Sequence, residues 1–231
     1  MQEKKTVVKK KRKLKFISVL VFLIIVLLIG FSVVTVLSIP TKNIFIHGNN
    51  ILTDKEIIEL ASLSDYPDFF STSTNKMKRN LENDPLIKKA TIKRKFFGVF
   101  DITINEAKPL FIKENTNTLV LDNMEEVSND NKYVVPRVVN YIPDTVYDDF
   151  VKRMSLLDAD IIDKISEVQY DPSKYDDSRF LFYMVDGNYV YIMLLKLDAL
   201  NYYNDAYQTF EGKKGVWYLD SGGHFQIFKE E

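Results

Sequence analysis

The sequence predicts an α+β protein in three parts: a single N-terminal transmembrane helix, a small βααββ domain, and a mixed β-rich α+β domain. Three observations carry that reading. Residues 16–39 contain no charged side chain. Residues 43–104 pass through period-2 and helical apolar patterns in the order strand, helix, helix, strand, strand. Beyond residue 110, short β-rich runs bounded by turn residues alternate with helical stripes.

Composition narrows the class. With 231 residues, 46% of them hydrophobic, and no Cys, the chain is neither a disulfide-stapled mini-domain nor a disordered segment. Its 31 Lys plus Arg nearly balance 32 Asp plus Glu, yet residues 1–15 alone carry +7 and the remainder −8. A chain so divided suggests two compartments.

The stretch FISVLVFLIIVLLIGFSVVTVLSI at 16–39 would reach about 36 Å as a helix, enough to cross a hydrocarbon core of about 30 Å. It is longer than a signal-peptide core, and Val36-Leu37-Ser38-Ile39-Pro40 is a poor cleavage site. A retained anchor is expected. Lys4, Lys5, Lys9, Lys10, Lys11, Arg12, Lys13 and Lys15 precede the span and only Lys42 closely follows it, so the N-terminus is expected in the cytoplasm. That topology and anionic lipid account for the basic tail without nucleic acid.

After Pro40, Asn43 to His47 reads as a strand closed by Gly48-Asn49-Asn50. Thr53 and Glu56 have capping-box spacing, with Leu52 and Ile57 as the staple of a helix that buries Ile57, Leu60 and Ala61. A second helix starts near Ser71 to Thr74, carries Met77 and Leu81 at i,i+4, and ends at Asp84-Pro85. Ala90 and Ile92, then Phe100, Ile102 and Ile104, mark two strands.

In the last part, Tyr147, Phe150, Val151, Met154 and Leu157 form one helical stripe. Asp158 is placed to cap a shorter helix bearing Ile161, Ile162 and Ile165, before a strand through Val168 and Tyr170. Residues 179–185 and 189–194 flank Asp186-Gly187-Asn188, a hairpin signal because Asp-Gly tolerates positive φ. Leu197, Leu200, Tyr203, Tyr207 and Phe210 suggest another helix. Finally, residues 216–219 and 224–228 flank the turn Asp220-Ser221-Gly222-Gly223, and a strand at that position is suited to a sheet edge that accepts a partner strand.

No catalytic, metal or cofactor site is expected. Asp220-Ser221-Gly222-Gly223 echoes a protease nucleophile motif, but turn formation explains it; a triad needs a base oriented by a buried acid and a preformed oxyanion site, whereas His47 sits in the strand-turn at 43–50 and His224 in the same hairpin as Ser221. Two distant histidines without Cys cannot make a zinc site. There is no phosphate-binding or dinucleotide Gly motif. The acid pairs Asp148-Asp149 and Asp176-Asp177 are solvated surface rather than carboxylates held across a cleft.

Residues 46–53, Glu56-Ile57, 85–90, 102–106 and Pro109 resemble a POTRA domain, and the version just outside a single N-terminal span resembles the FtsQ/DivIB family of bacterial cell-division proteins. Leu119 to Asp122 and Val134-Val135-Pro136 are similar to the strands that follow POTRA in that family, though Met124-Glu125-Glu126 stands where a Gly is common. The resemblance covers essentially the whole chain. It implies a tail at 1–15, a span at 16–39, POTRA at 40–109 and an FtsQ-type β domain at 110–231. It also implies a non-enzymatic divisome scaffold at the septum, binding FtsL-like and DivIC/FtsB-like bitopic proteins and helping to coordinate septal peptidoglycan synthesis. No nucleic acid or small-molecule substrate is expected; lipid is met through the span.

Two surfaces are expected to bind. His224, Phe225, Gln226, Ile227 and Phe228 form the partner edge, with Trp217 or Tyr218 as aromatic anchor. Gly48, Asn49, Lys93, Arg94 and Lys95 form a septal-recruitment surface. The alternatives are a POTRA-bearing envelope assembly or export factor, which lacks here the strands of a membrane barrel, and a membrane-anchored extracellular hydrolase.

Overall fold

A computed structural model describes residues 16–96 and 98–229. The basic cluster within residues 4–15 lies outside the described residues. The apolar stretch forms helix α1, Phe16–Leu37, and none of its residues is buried. At about 33 Å it is long enough to span a bilayer, and its apolar surface finds no cover within the described chain.

The next elements are β1 (Asn43–His47), α2 (Asp54–Leu60), α3 (Thr74–Glu82), β2 (Ile87–Lys95) and β3 (Val99–Glu106). Their sheet has the order β1-β3-β2, with β1 parallel and β2 antiparallel to β3. Local chemistry sets the helix starts. Thr53 and Glu56 close the expected capping box at α2, and Ser73 accepts the Lys76 N–H at α3. Leu52 and Ile57 enter one core with Leu63, Phe69, Met77, Leu81, Phe100 and Ile102.

Only Ala107 and Lys108 separate β3 from β4 (Pro109–Lys113), a strand absent from the expected order. Leu110, Phe111 and Ile112 are all buried, so this short apolar run shows no alternation that would mark it as a strand. Then come β5 (Thr118–Leu121), β6 (Glu126–Ser128) and β7 (Arg137–Val138). The expected strand at residues 134–136 is displaced to β7, and Val134 points to solvent at 86% exposure. Met124 has φ 67°, so it occupies the left-handed conformation that a Gly would adopt without strain.

The remaining elements are α4 (Asp144–Met154), α5 (Ala159–Ile162), β8 (Ile165–Tyr170), β9 (Arg179–Met184), β10 (Tyr189–Met193), a 3-10 helix (Leu194–Tyr202), α6 (Tyr203–Thr209), β11 (Gly215–Tyr218) and β12 (His224–Ile227). They complete a nine-stranded sheet ordered β12-β11-β10-β9-β8-β7-β4-β5-β6. The stripe of α4 is core, with Phe150 stacked 4.6 Å from Phe180. Ile165, expected on the short helix, opens β8 instead, and Asp158 occupies the N-cap of α5 without a side-chain capping bond. The expected last helix divides in two. Leu194, Leu197 and Leu200 recur every third residue and are buried on a 3-10 helix, which repeats every three residues; the four-residue step from Tyr203 to Tyr207 belongs to α6.

The two sheets are tied at their junction. Lys88 pairs with Asp122 at 2.6 Å, and Asn123 donates to the Pro85 carbonyl. Leu86 packs against both the small-domain core and a cluster of Ala107, Ile112, Leu119 and Leu121.

A buried polar network fixes the far end of the large sheet. Gly187 turns the β9–β10 hairpin at φ 88°. Asn188, fully buried, accepts the Gly215 N–H of β11 and donates to the Tyr203 hydroxyl, which donates to Asp186 at 2.8 Å. Burial first, then the bond to Asp186, pushes the ionisation of Tyr203 above the ordinary phenol range. Tyr203→Phe strands the Asn188 amide and is expected to cost about 1–3 kcal/mol at neutral pH. Because the folded phenol holds its proton more tightly than the unfolded one, that stabilisation is complete below the unfolded pKa of about 10 and declines as pH rises beyond it. Urea unfolding of both proteins between pH 8 and 11 checks this. A difference that does not narrow above pH 10 would contradict it.

Candidate partner-binding edge

Strand β12 is an outer strand of the nine-stranded sheet, paired antiparallel to β11 on one side, and the described chain supplies no strand on its other side. Its backbone geometry follows from alternation. The Phe228 N–H bonds the Lys214 carbonyl, while Gly215 and Leu219 direct their N–H groups toward Asn188 and Tyr191 on the β10 side. Residues 214, 216 and 218 therefore face β12, so the pairs Val216–Gln226 and Tyr218–His224 are the hydrogen-bonded ones. Phe225 and Ile227 turn their N–H and C=O groups outward, giving two donor–acceptor sites for an incoming strand.

The side chains divide by face. Trp217 and Phe225 lie opposite each other on the helix-covered face, where Phe225 stacks on Phe210 at 3.8 Å. Trp217 is only 9% exposed and its indole N–H reaches the Gly223 carbonyl. This corrects the expectation for Trp217: it is a core residue beneath the hairpin, because its place in the alternation turns it toward α6. Phe225 is likewise partly buried, so its contribution to the edge is its backbone.

The opposite face carries Tyr218, His224, Gln226 and Phe228. The Tyr218 ring is stacked between Tyr191 at 5.5 Å and His224 at 4.8 Å. Phe228 meets Tyr189 at 5.2 Å, and Tyr189 meets Tyr183 at 5.0 Å. Arg179 lies over Tyr191 and pairs with Asp171 at 2.7 Å. Burial raises the phenol pKa values of Tyr183 and Tyr191. Sequence reading missed Tyr183, Tyr189 and Tyr191 as members of this face. The i,i+2 spacing of Tyr189 and Tyr191 on β10 is the available signal; the β9–β10 pairing sets Tyr183 opposite Tyr189, and the β10–β11 pairing sets Tyr191 opposite Tyr218.

Two other sheet edges are less suited to pairing. At the opposite end of the same sheet, β6 has three residues and its Glu126 is held by Lys113 at 2.5 Å. Edge strand β2 carries Lys88, Lys89, Lys93, Arg94 and Lys95, and charge of that density discourages strand addition.

The expected recruitment residues do not form one surface. Lys95 pairs with Val99 at the start of β3, whereas Gly48 lies beside Ile104 near its end, about 17 Å further along the strand. Gly48 has φ 85°, and a Cβ there would run into the Ile104 carbonyl. Asn49 donates to the Leu52 carbonyl and Asp54, so both residues shape a loop. Arg94 donates to the Thr72 carbonyl and lies over Phe69, while Lys95 pairs with Asp101 and thereby lowers its pKa.

The same loop is clamped by a residue not singled out in the sequence for this role. Glu106, 9% exposed, accepts the N–H groups of Asn50, Ile51 and Leu52 at 2.7, 2.8 and 2.8 Å. It borders a cavity of about 480 Å3 between the two domains, lined also by Tyr133, Val135, Leu157 and Ile162. In the Ser-Gly-Gly turn, the Ser221 hydroxyl donates to Asp220, and His224 stacks on Tyr218. Among the described residues no group of three or more His, Cys, Asp or Glu is arranged to hold a metal ion.

One apolar helix long enough to span a bilayer among the described residues, a βααββ domain and a β-rich domain with an open edge together fit a single-pass membrane protein built around a POTRA module. A family model described as "POTRA domain, FtsQ-type" matches residues 39–107. Cell division protein DivIB of Brevibacillus brevis is 30% identical over 202 residues, covering 83% of this chain and 75% of its own length. DivIB of Bacillus subtilis (strain 168) is 29% identical over 231 residues, 95% of this chain and 86% of the relative. The chain belongs to the DivIB family of cell-division proteins. A solved extracytoplasmic domain of DivIB from Geobacillus stearothermophilus aligns with 46% of this chain and 96% of its own at 18% identity and a TM-score of 0.38, too slight a likeness to add to that assignment.

Proposed function

We propose that this protein is a non-enzymatic scaffold of the division machinery. Its basic tail at 1–15 stays in the cytoplasm, residues 16–39 hold it in the membrane, and a POTRA domain at 40–109 and a β domain at 110–231 stand outside at the septum. The β12 edge receives an extended segment of another bitopic division protein, of the FtsL or DivIC/FtsB kind. By holding such partners in register it helps to coordinate septal peptidoglycan synthesis, the chemistry being theirs. His224, Gln226, Ile227 and Phe228 frame the incoming strand, and Tyr218 supports His224 from beneath.

The observation that supports this reading is the outward backbone of Phe225 and Ile227 on an outer strand. Main-chain bonds there supply register, and the neighbouring aromatic face supplies apolar contact. The same geometry selects the test. Gln226→Pro would break a bond to Val216 inside the sheet, whereas Ile227→Pro removes only an outward N–H. Ile227→Pro is expected to weaken capture of a DivIC-like partner at least about tenfold, or 1.4 kcal/mol, with circular dichroism unchanged. Full affinity in the folded variant would refute strand pairing at this edge.

A further inference from the structure

We propose that the POTRA domain is seated on the bilayer that α1 crosses, its Tyr66, Phe70 and Phe96 rings set into the lipid interface at the foot of the helix. The inference rests on α1 lying in the membrane and goes beyond the scaffold reading, because it concerns how the outer domains are held rather than what they bind.

The first observation is a connection without slack. Ile39, two residues past the end of α1, accepts the Phe69 N–H at 2.8 Å. Thr41 bonds the Pro67 carbonyl through both its N–H and its hydroxyl, at 3.0 and 2.7 Å. Lys42 donates to the Gly98 carbonyl at 2.8 Å, and a Cβ at Gly98 would come within 2.8 Å of the Pro40 carbonyl oxygen. Two residues of extended chain reach only about 7 Å. Both the loop at 66–70 and the paired ends of β2 and β3, Lys95 and Val99, are therefore held close to the point where the chain leaves the helix.

The second observation is independent of the first. Among the described residues of the POTRA region, four large hydrophobic side chains are exposed: Phe45, Tyr66, Phe70 and Phe96. Three of them, at 51%, 44% and 89% exposure for Tyr66, Phe70 and Phe96, belong to the two segments bonded to residues 39–42. Aromatic rings beside the end of a spanning helix match the interfacial zone, where an apolar body and a hydrated surround are both accommodated.

Charge plays a smaller part. Lys42, Lys93, Arg94 and Lys95 lie at this end, but Asp65, Asp68 and Asp101 lie there too, so the seat does not depend on anionic headgroups. Strands β1 and β3 both run away from this end, toward Glu106 and the β domain. Seating would hold the POTRA domain by two attachments, the helix and the rings, and Lys93 to Lys95 would face lipid rather than a recruiting protein.

The natural chain has no Cys, so single cysteines can be introduced into the full-length protein and nitroxide-labelled. Ser71→Cys places a label beside Phe70 and keeps all three rings. Leu28→Cys reports the span, and Thr209→Cys on α6 reports the distal domain. In phosphatidylcholine vesicles, the ratio of relaxation by oxygen to relaxation by a water-soluble nickel chelate should be several-fold higher at 71 than at 209, though below that at 28. Serine at positions 66, 70 and 96 should remove that excess; because Phe70 touches the core ring of Phe69 at 5.0 Å, circular dichroism of the variant confirms that the domain is folded. A ratio at 71 equal to that at 209, with 28 reading lipid, overturns the seat and leaves the span standing. An excess that persists in the triple-serine variant, or that requires phosphatidylglycerol, also overturns it. Water-like values at 28 would overturn span and seat together.

Discussion

Glu106→Ala is expected to destabilise the POTRA domain by about 3–5 kcal/mol, because one substitution leaves three N–H groups without their acceptor. The Asn50, Ile51 and Leu52 amides have no other acceptor in the described chain, and Leu52 is part of the core. The loop they form also feeds the capping box of α2, so the loss propagates into that helix. Denaturant unfolding of the detergent-solubilised full chain measures the cost, and hydrogen exchange at residues 50–52 locates it. A loss below about 1 kcal/mol, within the range of an ordinary surface change, would show that the clamp is not structural. Glu106→Gln keeps one acceptor oxygen but sets an amide NH2 against an N–H, and it should fall between the two.

Gly215→Ala is expected to separate β12 from β11. The methyl group would overlap the Gln226 carbonyl and come within 2.8 Å of the Phe225 ring, and neither can retreat without opening the strand pair or the Phe225–Phe210 stack. Overpacking of this kind costs roughly 1–3 kcal/mol, which the rest of the sheet can bear. The functional loss should be larger, because a displaced edge presents no register; partner affinity is expected to fall at least about 100-fold, or 2.7 kcal/mol. Trp217, the single tryptophan, lies directly beneath the hairpin and reports the change by fluorescence. Normal affinity together with a shifted Trp217 spectrum would mean that partners bind elsewhere.

Much of this architecture was legible because its signals are local. A charge-free run of membrane length, a Thr-x-x-Glu capping box, an Asp-Gly turn and i,i+4 apolar pairs each depend on residues within a few positions of one another. The features that local pattern hides have a common origin. Strand β4 leaves no period-2 pattern because it is buried on both faces. Val134 and Val135 are β-forming residues, yet β4 and β8 both pair with Arg137 and Val138 instead. Residues 197–210 have the pattern of one helix because apolar steps of three and four both lie on an α-helical face, while only packing of Leu194, Leu197 and Leu200 selects the tighter turn.

The candidate edge is half legible. The Gly-Gly turn and the β-forming residues around it mark a hairpin, but nothing in the string tells which of its residues face outward, or that Trp217 lies in the core. Likewise Glu106 and Asn50 to Leu52 are separated by more than 50 positions, and no local pattern announces a bond across that distance.

By itself the sequence determined the membrane-length helix, the order of elements in the small domain and the hairpins of the large one, since each follows from propensity and periodicity over neighbouring residues. Tertiary structure alone decided the sheet order, the backbone direction of Phe225 and Ile227, the Glu106 clamp and the gathering of Tyr66, Phe70 and Phe96 at the foot of α1. Those features are relations between segments far apart in the chain, set by which surfaces can be buried together.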